Sequence, residues 1–398
     1  MTRSAKPIRV VHIARDFGLR FSGITHRLYS LLSGWRDEDV ALDLWGTCVR
    51  PLNIGSGNPD YALAARLWPP GVKRSGILAK LKWAVRQYAF LVKHARSYDV
   101  AHFYDLTSGT LLCPLLLHLL GKKAVFTSSL QGSDNPIAVR ESRWGRPAAR
   151  LLRSFDGILA VSPQLAEEYR ASGFKSVACI PNFLAVPQLD GESATAARVD
   201  VRGRLSIPLD APVLLFVGVV DRRKGIDLLA ECFTRLAVRH HSLWLIAVGP
   251  PGYDHEFVRS VRERIDRAGV ATRVVWTGML RDKSVVAQHY SAADIFVFPT
   301  RAEGMPNVLI EATAAGLPTV ATCLPGVTDY AVKDRETGLL FPPDDVDAMA
   351  RAIEQLISDP TLRAKMGQAA RAHSKRFGFE EYCRQLKAFY LLVAGATQ

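Results

Sequence analysis

Paired cysteines are missing from this chain. The six cysteines (Cys48, Cys113, Cys179, Cys232, Cys323 and Cys383) stand far apart, and no C-x-x-C occurs. That spacing excludes a zinc ribbon or a disulfide framework and predicts reduced, buried thiols in a cytosolic protein. The ten histidines show no H-E-x-x-H or similar ligand spacing, so no metal is expected. Long apolar runs are missing too. The most apolar stretch, 111–120, is interrupted by Pro114 and His118 and is too short to span a bilayer. Only Met1 to Pro7 precede the first apolar run, too short a lead for a secretory signal. There is no low-complexity tract and no repeat beyond an alternation of strand-like and helix-like patterns.

What is present is a globular balance, with 48% hydrophobic and 22% charged residues over 398 positions, a length that suits two domains. Charge is uneven. Residues 1–190 hold 25 Lys and Arg against 14 Asp and Glu, a net of +11, whereas the remainder nets +2. The basic surplus in the first half implies an anionic partner there. Short apolar runs predict strands at 8–14, 40–46, 99–103, 123–129, 157–161 and 177–180, then at 213–220, 243–249, 273–277, 294–298, 317–321 and 339–341. Helical patterns lie between them, the mark of an α/β fold with parallel sheets covered on both faces. Two such series predict two doubly wound domains, 1–186 and 187–378. The stretch 184–212 reads as polar and strand-poor, with the linker at its start, and an amphipathic helix closes the chain at 379–398.

The segment Pro299-Thr300-Arg301-Ala302-Glu303-Gly304-Met305-Pro306-Asn307-Val308-Leu309-Ile310-Glu311 carries the most chemistry. Ile295 to Pro299 reads as a buried strand, Gly304 and Pro306 as a loop, and a helix is expected from Asn307. Glu303 then sits at a strand tip and Glu311 one turn into the next helix. The helix start between them offers backbone N–H groups and a positive dipole end, a cradle for phosphate. Two acceptors for sugar hydroxyls flanking a phosphate cradle suit a sugar nucleotide. Arg222, Arg223 and Lys224 follow another predicted strand, in the loop position where open α/β sheets bind ligands.

This segment resembles the E-x7-E motif of the retaining GT-B glycosyltransferases of family four (glycosyl transferases group 1). Val213 to Gly218, Lys224-Gly225, Thr277-Gly278, Ala293-Asp294, Gly316-Leu317-Pro318, Gly326 and Thr337-Gly338 fall in that family's order. The resemblance implies the GT-B fold: two facing Rossmann-like domains, the first binding the acceptor and the second the nucleotide sugar, with the last helix packing back on the first domain. It implies a metal-independent, retaining transfer from a nucleoside diphosphate sugar, with no cofactor, to a glycan or lipid-linked acceptor, as in polysaccharide biosynthesis. Lys224 and Arg223 would neutralise the diphosphate, Glu303 would meet the donor sugar, and Glu311 would hold the ribose. Gly304, Met305, Pro306, Asn307 and Val308 would act through backbone, and Gly278 would pass close to the base. Gly23 occupies the place of the family's double-glycine loop. Gln131, in Gln131-Gly132-Ser133-Asp134, replaces the family's histidine beside the reacting sugar and cannot exchange a proton near neutrality. Val219 stands where the family carries an arginine, leaving Arg222 or Arg223 as the second cation.

Asp344-Asp345-Val346-Asp347 invites a metal reading, but a helix cap with an acidic first turn explains it better. Residues 61–98 contain eight basic residues and no acid, interleaved with Trp68, Trp83, Tyr88 and Phe90. Two readings stay open there: an anionic membrane surface docking through 66–96 in a cytoplasmic, peripheral protein, or an amphipathic helix whose aromatics enter the core. No nucleic-acid motif accompanies the charge. A GT-B sugar-nucleotide epimerase and a non-catalytic sugar-nucleotide or membrane-binding module are the alternative functions.

Overall fold

The computed structural model describes residues 6–14, 23–46, 77–130, 132–142 and 145–395. The chain divides into two compact units, one of residues 1–182 with 379–398, the other of residues 183–378.

In the first unit the order is β1 (Ile8–Ala14), α1 (Gly23–Gly34), β2 (Val40–Gly46), α2 (Ile77–Lys93), β3 (Val100–Phe103), α3 (Ser108–Leu119), β4 (Lys123–Ser128), α4 (Pro136–Glu141), α5 (Gly145–Leu152), β5 (Gly157–Ala160), α6 (Pro163–Ala171) and β6 (Val177–Cys179). Its six strands pair in parallel in the order β2-β1-β3-β4-β5-β6. The second unit runs α7 (Gly191–Arg204), β7 (Val213–Val217), α8 (Ile226–Arg239), β8 (Trp244–Val248), α9 (His255–Arg267), β9 (Val274–Gly278), α10 (Lys283–Ala292), β10 (Ile295–Phe298), α11 (Asn307–Ala314), β11 (Thr319–Thr322), α12 (Thr328–Ala331), β12 (Gly338–Phe341), α13 (Val346–Ser358) and α14 (Pro360–Ser374). Its parallel order is β12-β11-β10-β7-β8-β9. Strands β3 and β5 of the first sheet and β7 and β10 of the second are buried along their whole length, which explains why they read as unbroken apolar runs rather than as alternating ones.

The last helix, α15 (Phe379–Ala394), belongs to the first unit. Gly157 lets it approach β5: a Cβ there would lie 2.7 Å from Val393 and 2.8 Å from Phe389. Lys387 Nζ donates to Asp37 and Asp39 at 2.8 and 2.7 Å. Under α15 lies a buried polar cluster. His12 Nδ1 pairs with the Tyr104 hydroxyl at 2.8 Å, while His102 bridges Tyr390 and Thr127, both at 2.6 Å. Burial, then the charge of Arg27, pulls the His12 imidazole down from 6.5 to about 3. Burial first, then His12 and Arg27, holds His102 well below the ordinary histidine range.

The strand-poor stretch 184–212 contains α7, which the polar composition concealed. Its anchor is Arg202, fully buried, whose guanidinium donates to the carbonyls of Ala292, Pro208, Leu209 and Ala211 and to Asp294 at 2.7 Å. Asp294 also accepts from Arg198 and from the Val213 amide, both at 2.8 Å. The Ala293-Asp294 pair therefore ties α7 and the start of β7 to β10. On α2, Trp83 and Phe90 enter the core and stack on Trp45 with centroids 4.8 and 4.6 Å apart. Of the two readings of this helix, the aromatics follow the core one. Among its described side chains, the exposed apolar residues of α2 are Leu81, Val85 and Val92, while residues 66–76, Trp68 among them, lie outside the described residues.

The buried histidines make the first unit acid-sensitive. Their folded pKa values lie below those of the unfolded chain, so at acid pH the unfolded state takes up more protons. The His12 contribution is intact above pH 6.5 and falls as the pH drops toward about 3, and His102 acts in the same direction. Urea unfolding is expected to lose about 1.4 kcal/mol per pH unit from His12 in that window, with His102 adding to the slope. A His12→Asn, His102→Asn variant should lose the extra slope; curves parallel to those of the unchanged protein would contradict the assignment.

Candidate functional site

Within the second unit, the chemistry gathers where β7 and β10 end. β7 leads through Gly218 into a tight turn in which Asp221 Oδ1 accepts the Lys224 amide at 2.9 Å. Gly225 then starts α8 in the left-handed region, φ +69°, and a Cβ there would lie 1.8 Å from the Pro299 carbonyl oxygen. Only glycine permits this approach, and it presses the loop against the end of β10. The Arg301 amide donates to the Arg223 carbonyl at 2.8 Å and the Thr300 hydroxyl to the same carbonyl at 3.1 Å, sealing the seam.

The seam places the candidate side chains together. Lys224 Nζ meets Glu303 Oε1, 5.0 Å above the Phe298 ring. The same carboxylate oxygen accepts from Arg223 Nη1 at 3.0 Å and from Thr300 Oγ1 at 3.0 Å. Arg223 Nη1 also holds the Ala302 carbonyl at 2.9 Å. Burial lowers the Lys224 ammonium from the ordinary lysine range, Glu303 opposes that shift and Arg223 adds to it. Of the two arginines offered as a second cation, Arg223 is at the site. The Arg222 guanidinium lies over the Phe257 ring at 4.8 Å, on α9.

After Glu303, the buried residues Gly304 and Met305 turn into Pro306, which caps α11 without a side-chain hydrogen bond. Asn307 and Val308 open the helix, and Glu311 follows on its buried face. Sequence reasoning missed its partners: Lys283 Nζ donates to Oε1 at 3.2 Å and the Tyr290 hydroxyl to Oε2 at 2.9 Å. Lys283 and Tyr290 stand seven residues apart on α10, a two-turn spacing that puts both on one helix face, and that was the available signal. Gly278 ends β9 with φ +68° and open space where a Cβ would be. Gly23 is the first residue of α1, in the other unit. Gln131 lies outside the described residues.

The acidic run has structural employment. Asp345 caps α13 by accepting the Ala348 amide at 2.8 Å, Asp344 pairs with Arg301 and Asp347 with Arg235. Asp134 likewise closes its own loop, accepting from Ser128, Ser129 and Leu130. Chemically, the seam offers two cations beside a helix start whose dipole favours an anion, bracketed by two buried carboxylates able to accept hydroxyl protons.

Residues 198–373 match the family model described as glycosyl transferases group 1, and residues 22–182 match the glycosyl transferase 4-like domain. The chain is 30% identical over 290 residues to the lipopolysaccharide core biosynthesis glycosyltransferase LpsE of Rhizobium meliloti, spanning 70% of this chain and 78% of that one. It is 32% identical over 320 residues to the D-inositol 3-phosphate glycosyltransferase of Kribbella flavida, spanning 74% and 71%. The fold is similar to that of sucrose-phosphate synthase from Thermosynechococcus elongatus (TM-score 0.76, 21% identity, 98% of this chain and 100% of that one). It is also similar to Anabaena HepE in complex with UDP and glucose (TM-score 0.75, 17% identity, 96% and 99%). With two six-stranded parallel sheets, these likenesses show the GT-B fold.

Gly225→Ala is expected to lift the Lys224 loop off β10, because the side chain would collide with backbone and occupy a left-handed conformation. The expected loss of stability is at least about 1–3 kcal/mol, read from urea unfolding. An unchanged midpoint would show that the close approach is dispensable.

Proposed function

The chain belongs to the glycosyl transferases group 1 family, and from that premise we propose that it moves a sugar from a nucleoside diphosphate sugar to a hydroxyl of a glycan or lipid-linked acceptor, retaining the anomeric configuration and using no metal. The observation that carries this reading is the convergence of Lys224 and Arg223 on Glu303 beside the start of α11. HepE, of the same fold, is described with UDP and with UDP-glucose, and the named relatives act on an inositol phosphate or the lipopolysaccharide core.

In this proposal the diphosphate lies across the α11 start, met by the Gly304–Val308 backbone and by Lys224 and Arg223. Glu303 accepts hydroxyls of the donor sugar. Glu311, held by Lys283 and Tyr290, accepts the ribose hydroxyls, and Gly278 leaves room for the base. The bond from the anomeric carbon to the phosphate oxygen breaks as the acceptor oxygen bonds on the same face, and the acceptor's proton passes to the departing phosphate. Stabilising the negative charge on that phosphate is the main task of the cations. Lys82, Lys93 and Arg96, exposed with Leu81 and Val85 on and just after α2, support docking on an anionic membrane surface near a lipid-linked acceptor. Among the described residues, no helix is long and apolar enough to cross a membrane.

A thermal-shift panel of UDP, GDP, ADP and their sugars tests the donor class. The correct nucleotide at a hundred times its Kd should stabilise by about 2.7 kcal/mol, and a flat panel would overturn the reading. With the donor known, Lys224→Ala should cut turnover by about 10²–10³-fold. Unchanged turnover, a product of inverted configuration, or epimerised donor without acceptor would each sink a named part of the proposal.

A further inference from the structure

We propose that Arg301 is a positioning residue: it latches the Lys224 loop to the end of β10 through partners other than Glu303. The inference rests on the reading of Lys224 as the cation that meets the diphosphate. Arg301 belongs to the stretch between β10 and Glu303, yet its guanidinium does not join Glu303. It turns to the β7–α8 loop and grips it at several points. Nη1 donates to the Arg222 carbonyl at 2.5 Å, and Nη1 and Nη2 form a two-pronged pair with Asp227, in the first turn of α8, at 2.9 and 3.0 Å. Nε reaches Asp344 at 2.7 Å, at the end of the β12–α13 turn. The backbone amide of the same residue holds the Arg223 carbonyl.

The consequence follows from where these bonds fall. Residues 222 and 223 are held by their carbonyls, and the helix after them by Asp227. The side chains of Arg223 and Lys224 are thereby left to face Glu303. Besides Arg301, Lys224 and its loop are held by the Asp221 turn, Gly225, the Thr300 hydroxyl on the Arg223 carbonyl, Arg223 on the Ala302 carbonyl, the Phe298 ring and Glu303 itself. A diphosphate draws the lysine away from Glu303, so the loop must be held by a bond the ligand does not compete for. Arg301 supplies it, through a bidentate guanidinium–carboxylate geometry that lysine cannot reproduce. Its two anionic partners raise its own affinity for a proton, so the latch stays charged at any working pH.

Hydrogen exchange on the intact chain decides the positioning role without any ligand. Arg301→Ala should accelerate exchange of amides 222–228 by about tenfold while the β8 and β9 amides keep their rates, and Arg301→Lys, which keeps the charge without the two-pronged geometry, should restore protection only in part. Unaltered exchange at 222–228 would overturn the proposal. On the nucleotide found in the panel above, Arg301→Ala should weaken the diphosphate by about tenfold and leave the phosphate-free nucleoside unaffected. Equal losses for both would show that Arg301 acts on the fold generally and not on the cation. If the unaltered chain binds no nucleoside diphosphate, the functional reading fails while the exchange result still stands or falls by itself.

Discussion

The candidate site depends on one steric constraint, the contact of Gly225 with the Pro299 carbonyl. A loop leaving one parallel strand and a loop leaving its neighbour rarely come within backbone contact, because side chains stand between them. Here the missing Cβ removes that barrier, and the positive φ turns the chain into α8 at the same step. Lys224 is consequently brought down onto a buried carboxylate. Burying either charge alone would be costly, whereas burying them together with Arg223 and Thr300 distributes the demand over several donors. A glycine thus governs the electrostatics of side chains it never touches.

The strands were legible because parallel strands covered on both faces are apolar throughout, and all twelve predicted runs correspond to strands whose bounds shift by no more than a few residues. The E-x7-E segment was legible for a related reason. A strand, a turn with glycine and proline, and a helix fall in immediate succession, so the two acids' places follow from local pattern. What resisted reading depends on distant partners. α7 shows no apolar stripe because its anchor is a buried arginine, and Arg202 reads as a solvated residue until the carbonyls of Pro208, Leu209, Ala211 and Ala292 surround it. Nothing local distinguishes Arg222 from Arg223. The Asp221 turn and the Phe257 ring decide it.

Several acids that resemble chemistry proved to be joinery. Asp294 fastens a helix and a strand to β10, Asp345 caps α13, and Asp134 folds its own loop. Each has its donors supplied by nearby backbone, serine or arginine. Glu303 differs in that two of its donors, Lys224 and Arg223, are cations from the β7–α8 loop, and Glu311 in that a lysine and a tyrosine from one helix hold its two oxygens. The distinction lies in what the carboxylate meets, and the residue type alone does not carry it.

The buried His102 reaches its hydrogen-bond partner Tyr390 across nearly three hundred residues of chain. As the polypeptide emerges from the ribosome, the first sheet therefore waits with polar groups uncovered until the whole intervening unit has been synthesised. The unit that begins second can finish first, and α15 acts as a keystone inserted only after that unit has emerged.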